Sequence, residues 1–241
     1  HFHAQRASEE AVLSQLMALQ SLTKGEVRIA VGEGFIADLI AAPLGTFMSA
    51  FSGINVEIRM AGVNEAMSLL KDREVDIALL YAPPVDPQLF CHVETRQPLD
   101  VIVPPNHPLS DLNRPVTLHD LKGWPLALMD NPFGMRQMVN MVAHQERIHL
   151  EARLHTNSVS VLKNFVRSGI GVTFMPELTV ADEIERGEIF TLPMQYPVMN
   201  GTRAQIVSLK GQELPVASIT CIDHLHKGMR FFSADAPRLL Q

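Results

Sequence analysis

The sequence predicts an α/β fold in two lobes, each a mostly parallel sheet flanked by helices, with a cleft between them. Three observations predict it. Short β-branched runs alternate with amphipathic helical stretches, a rhythm that implies parallel strands covered on both faces. The rhythm occurs twice in a chain of 241 residues, a length that allows one large domain or two small ones. Apolar residues make up 46% and charged residues 19%, the balance of a chain that folds around a core.

Residues 4–23 read as a helix, with Val12, Leu16, Leu19 and Leu22 at helical spacing and Arg6, Glu9, Glu10 and Gln15 over the rest. It stops at Thr23-Lys24-Gly25, a cation followed by glycine. Its single narrow apolar stripe fits either an ordinary surface helix or a linker helix that pairs with something outside this chain. Beyond it, strands are predicted over 25–31, 55–62, 75–81 and 98–105, with helices over 36–51 and 64–73 between them. The second half predicts strands over 124–129, 151–156, 171–176 and 204–209, helices over 135–148 and 159–169, and a closing helix over 215–232.

Composition excludes several classes. The formal charge is −6 and the pI about 5.9, unlike the basic face of a nucleic-acid-binding surface. No apolar run reaches membrane-spanning length and no basic-then-apolar leader is present, so no membrane partner is expected. Cys91 and Cys221 are too few for a disulfide scaffold and are expected to be reduced thiols of a cytoplasmic protein.

Catalytic and cofactor motifs fail on their own chemistry. Gly32-Glu33-Gly34-Phe35-Ile36-Ala37 fits G-x-G-x-x-A between a strand and a helix, but Glu33 would repel a pyrophosphate from inside the loop. A tight turn lining the cleft is the better reading. His224 and His226 are two apart and His144 and His149 five apart, neither the spacing that puts two imidazoles on one metal ion. Around Ser168 the first glycine of a nucleophile elbow is missing. No enzymatic activity, metal or cofactor is expected.

What recurs is a small or polar residue where a strand hands over to a helix. These turns are Glu33-Gly34-Phe35, Val63-Asn64, Asn131-Pro132-Phe133-Gly134 and Ser158-Val159. Asn64 and Ser158 suit N-caps, and Pro132 suits a first helical turn. In open α/β sheets such turns sit at the carboxyl ends of strands, where ligands bind. Two turns from each half would converge on one small molecule.

The order of several strings then becomes diagnostic. Gly25-Glu26-Val27-Arg28-Ile29, Val75-Asp76-Ile77-Ala78-Leu79 and Asn106-His107-Pro108-Leu109 come first. Leu118-His119-Asp120-Leu121 follows, ahead of Trp124-Pro125-Leu126, and the series ends on Ser168-Gly169-Ile170-Gly171-Val172-Thr173-Phe174-Met175-Pro176. In that order they resemble the effector-binding region of LysR-type transcriptional regulators over residues 25–232, with 4–24 similar to the end of that family's linker helix. The resemblance implies a type 2 periplasmic-binding-protein-like fold whose lobes are joined by crossover strands. By that pattern residues 1–24 end the linker, 26–99 and 205–232 form lobe one, 100–204 form lobe two, and 233–241 are a C-terminal tail. It also implies a small-molecule effector in the cleft, with Leu99 and Asp100 beside it at the crossover. DNA would be bound only through a winged helix-turn-helix ahead of residue 1; with the apolar stripe of 4–23, the resemblance implies a homo-oligomer, at least a dimer for this region and a tetramer for the intact protein. The alternative with the same fold is the extracytoplasmic solute-binding protein of a transporter, which has little use for the leading helix.

Two positions depart from the family pattern. Glu74 stands where a glycine is common, and Glu33-Gly34 where many relatives place a Ser or Thr that grips an anion. Helix N-termini attract an anion by about 0.3–1 kcal/mol when exposed and up to ~2 when partly buried. A carboxylate ~4 Å away repels it by ~1 kcal/mol in water and about 4 at an effective dielectric of 20. The cleft is therefore expected to prefer a neutral or cationic effector unless Arg136 neutralises Glu33.

Overall fold

The computed structural model describes residues 24–232. The helix read over 4–23 and the tail over 233–241 lie outside them. In lobe one, β1 (Gly25–Val31) lies between and parallel to β2 (Ile54–Met60) and β3 (Ile77–Tyr81). Beyond β3 come β10 (Arg203–Leu209) and the edge strand β4 (Leu89–Arg96), giving the order β2-β1-β3-β10-β4. Only β10 runs against the others. Alternation along β1 serves two cores. Val27, Ile29 and Val31 face Leu39, Phe47, Cys221 and Leu225, whereas Ala30 faces Ala66 and Leu70 on the other side.

The second array follows the same rule. In lobe two, β5 (Leu99–Val103) lies antiparallel to β8 (Thr173–Pro176) and β9 (Phe190–Leu192). Parallel strands β6 (Ala127–Met129) and β7 (Leu154–Thr156) join β8 through a parallel bridge between Leu126 and Val172. Here β5 alone runs against the rest. The two reversed strands, β5 and β10, are those that enter each lobe from the other.

Two predicted helices are broken. The stretch 36–51 becomes α1 (Ile36–Ala41) and α2 (Pro43–Ala50), because Pro43 has no N–H to continue the ladder and pushes Ala42 out of helical geometry. Between β2 and β3 runs α3 (Val63–Lys71), which buries Val63, Ala66, Met67 and Leu70 at the i, i+3, i+4, i+7 spacing of one helix face. Lobe two carries α4 (Gly134–Gln145), α5 (Val159–Arg167) and two short helices, α6 (Ala181–Glu185) and α7 (Pro197–Asn200). The closing helix α8 (Val216–Gly228) ends before an extended Met229 and a separate turn, Arg230–Phe232. Strand β4 had no sequence signal because it is a largely exposed edge, with little apolar alternation along it. Both cysteines are free thiols, and burial pushes that of Cys221 up to about 12.

The strings that carry the family resemblance each have a local physical cause. Asp76, 2% exposed, accepts bonds from the Arg28 backbone N–H and guanidinium, both at 2.8 Å, which pins β3 to β1. His107 Nδ1 caps a short turn by accepting from Leu109 N–H, and its ring packs on Trp124 at 4.3 Å. Asp120 accepts from Thr117 N–H and both Arg114 guanidinium nitrogens, which hold its carboxyl well below the usual carboxylate range. Gly169 takes the left-handed conformation (φ +68°) that ends α5, with Gly169 N–H bonded to Val166 O and Ile170 N–H to Phe165 O. Gly171 has a separate reason, the close approach of the Pro125 carbonyl.

The chain crosses between lobes at Gln97 and Thr202, where Gln97 N–H donates to Thr202 O at 2.9 Å. Above this pair the buried Tyr81 hydroxyl lies 2.8 Å from Thr202 Oγ1 and 2.9 Å from Gln97 O, and desolvation drives its phenol far above the usual value. Tyr81→Phe is expected to lower stability by about 1–2 kcal/mol, since it removes a buried hydrogen bond without a large cavity. A lower urea midpoint at unchanged m-value checks this.

Candidate functional site

The carboxyl ends of β1, β3, β6 and β8 meet between the lobes around a cavity of about 40 Å³. Most of its lining is apolar: Phe35, Val63, Leu79 and Phe231 from lobe one, with Met129, Phe133, Met135 and Pro176 from lobe two. Phe231 is fixed by both its backbone groups. Its N–H donates to the buried Asp38 carboxylate at 3.0 Å, and its carbonyl accepts from Gln97 Nε2 at 3.0 Å. Its ring packs on Phe35 at 4.8 Å.

Among the described residues, four polar ties cross the rim. Val63 N–H donates to Pro132 O at 3.1 Å, and Gln137 Nε2 donates to Asn64 Oδ1 at 3.4 Å. Arg230 joins Asp38 of lobe one, 3.4 Å away, to Asp182 of lobe two, 3.3 Å away. The fourth tie is made by Glu33. Its Oε2 accepts from Val159 N–H at 2.6 Å and its Oε1 from the Ser158 hydroxyl at 3.0 Å, with Ser160 N–H farther off at 3.5 Å.

The turns singled out from sequence lie on this cleft, though not all reach the cavity. Glu33, Gly34, Phe35, Val63, Phe133, Gly134 and Val159 line it. Ser158 stands one bond behind, holding Glu33, while Asn131 accepts from Asn140 Nδ2 on the outside. Leu99 and Asp100 are buried in β5 and outside the lining. Two of the three capping expectations are corrected, and the third holds in position but not in its hydrogen bond. Asn64 lies inside α3, whose N-cap is Gly62; Pro132 precedes α4, whose N-cap is Phe133. Ser158 is the N-cap residue of α5, but its hydroxyl turns to Glu33 instead of its own helix. Arg136 does not pair with Glu33: its Nε donates to Asn140 at 2.8 Å, while Glu33 is held by Ser158 and Val159.

Tyr81, Leu79, Pro176 and Thr179 also line the cavity and were missed from sequence. Tyr81 and Pro176 end β3 and β8, so strand ends as well as helix starts carry the signal. Phe231 had no local signal. A wider groove of about 650 Å³ runs between 118–126 and 147–153, but it opens at the amino ends of β6 and β7, the end opposite to where open sheets bind ligands.

A model of the LysR substrate binding domain matches residues 20–230. The chain belongs to the LysR substrate-binding domain family. Among curated proteins it is 24% identical over 211 residues to the HTH-type transcriptional activator CmpR of Synechocystis, covering 86% of this chain and 67% of that one. It is 25% identical over 199 residues to the RuBisCO operon transcriptional regulator of Allochromatium vinosum, covering 80% and 65%. This LysR-family chain thus spans about two thirds of the length of those relatives. Among solved structures, the Synechocystis CcmR regulatory domain in complex with 2-PG aligns with a TM-score of 0.74 at 23% identity, covering 85% of this chain and 97% of that one. The QuiR effector-binding domain in complex with shikimate aligns at 0.68 and 18%, covering 85% and 97%. The LysR effector-binding fold expected from the ordered strings is the observed one. Among the described residues no helix is long and apolar enough to cross a membrane.

Proposed function

We propose that this LysR-family chain is the effector-binding and oligomerisation region of a cytoplasmic DNA-binding transcriptional regulator, and that it has no enzymatic activity. The observation that carries the reading is the apolar cavity closed from both lobes at the carboxyl ends of their strands. The named relatives are transcriptional regulators, which favours this reading over the solute-binding protein of a transporter. The expected bounds, 26–99 and 205–232 for lobe one and 100–204 for lobe two, fall close to the crossing at Gln97 and Thr202, with β5 from Leu99 on the lobe-two side and β10 from Arg203 on the lobe-one side. The four predicted turns, with Leu99 and Asp100 behind them, form the effector site. DNA is reached through a separate domain of the regulator, and this region pairs with a second copy.

A cavity of about 40 Å³ holds only a few water-sized groups. A ligand larger than that requires the lobes to part, and its binding energy then acts on the angle between them. It shifts that angle only by as much as it prefers one arrangement. A thermal-shift screen of small metabolites tests this. A ligand at ~100-fold its Kd adds about 2.7 kcal/mol, which raises the midpoint by about 5–10 °C in a domain of this size. Val63→Phe, which fills the cavity, is expected to abolish that rise while the circular dichroism spectrum is retained. No saturable shift from any compound, or a shift that survives Val63→Phe, would refute the assignment.

A further inference from the structure

We propose that Glu33 is a built-in anion that fills the helix N-terminus facing the cleft, so that the effector site, on the reading above, admits a ligand without an anionic group of its own. The first N–H groups of α5 have no partners within the helix. Ser158 has the extended backbone of an N-cap residue, yet its side chain makes no cap bond. A carboxylate from the other lobe does the capping instead, taking one backbone N–H at 2.6 Å and one hydroxyl at 3.0 Å. Those are the contacts by which a free carboxylate or sulfate binds at a helix N-terminus, where the dipole favours negative charge. Here the anion is tethered. Glu33 follows β1 in the turn Glu33–Phe35, and its side chain reaches a partner 125 residues away in sequence.

Two consequences follow for ligand class. An incoming anion must displace Glu33, whose tether gives it a high effective concentration at the same N–H groups. If it settles beside Glu33 instead, it meets a carboxylate that, among the described residues, has no ion-pair partner. An uncharged ligand does not compete for the N–H groups that Glu33 holds and uses the apolar walls. The latch also joins the lobes directly, so a ligand that parts them strains this bond together with the other ties across the rim.

Chemical rescue tests the latch with acetate as the probe, so it can fail while a metabolite still binds, and the metabolite screen can fail while it succeeds. Glu33→Ala is expected to lower the unfolding midpoint by about 2–4 °C. Sodium acetate, against sodium chloride at equal ionic strength, is expected to restore more than half of that loss saturably, and acetamide none of it. The wild-type protein should respond to acetate no more than to chloride. Absence of rescue, or a wild-type response as large as the variant's, would overturn the proposal. Glu33→Gln keeps an acceptor for Val159 but not the charge, and it covers the case in which the alanine variant does not fold. Its Val159 amide is expected to exchange roughly tenfold faster than wild type, because a charged acceptor holds an N–H more strongly than a neutral one. Exchange at the wild-type rate would overturn the proposal equally.

Discussion

Gly171→Ala is expected to prevent lobe two from folding stably. A Cβ at this position would lie 2.0 Å from Pro125 O and 2.8 Å from the Phe165 ring. The ring could turn aside, but the carbonyl cannot. Pro125 O accepts from Val172 N–H at 3.0 Å, and Val172 O accepts from Ala127 N–H at 3.0 Å, so the same backbone carries the pairing of β6 with β8. Moving it away breaks that pairing and opens the core beneath Leu126, Val172 and Phe174. Such a change is expected to cost at least about 3–5 kcal/mol, a large part of the 5–15 kcal/mol that a domain of this kind has in total. Urea unfolding of any soluble product checks it; a midpoint near wild type would show that the backbone yields more easily than its hydrogen bonds suggest.

Gly134→Ala makes an equally close approach with a different result. Its Cβ would lie 2.0 Å from Tyr81 O and 3.2 Å from Val63 Cγ2. Tyr81 and Val63 belong to lobe one and Gly134 to lobe two, so the clash is relieved by parting the lobes and not by breaking a sheet. Both lobes are therefore expected to stay folded while the cleft opens and the Val63–Pro132 and Glu33–Val159 bonds lengthen. Small-angle scattering should show a larger radius of gyration than wild type. Any ligand found for the cleft should bind at least ~10-fold more weakly, a loss of about 1.4 kcal/mol. Wild-type affinity with an unchanged radius would mean that the strain is absorbed inside α4 instead.

The contrast between these glycines shows how far local sequence reaches. Gly169 and Gly171 stand two apart in one short string, and the first needs only its own helix end to explain it. Continuous apolar or β-branched runs were enough for the largely buried strands β1, β3 and β5, and helical periodicity for amphipathic α3 and α5. Such patterns failed at β4, whose exposed edge carries no alternation to read, and at β9, which is only three residues long. Pro43 was visible within the stretch 36–51, and its effect on Ala42 follows from its ring alone, yet the apolar periodicity on either side masks the break.

The cleft divides in the same way. Turns after strands were legible because Gly, Asn, Ser and Pro have local backbone reasons to be there. Their caps were not, because a cap is decided by which acceptor comes nearest, and at α5 that acceptor belongs to the other lobe. From sequence, Glu33 is a charge inside a glycine turn, and its sign alone argues against a pyrophosphate. Only the folded chain brings it to Val159, 126 residues away, and brings Phe231 in from the far terminus to close the cavity. By itself, then, the sequence determined the α/β class, the buried strands and the turns where a ligand could bind, since periodicity and turn chemistry act between near neighbours. The closure of the lobes, the partner of Glu33 and the size of the cavity were decided by tertiary structure, because each depends on contacts between residues that only the fold brings together.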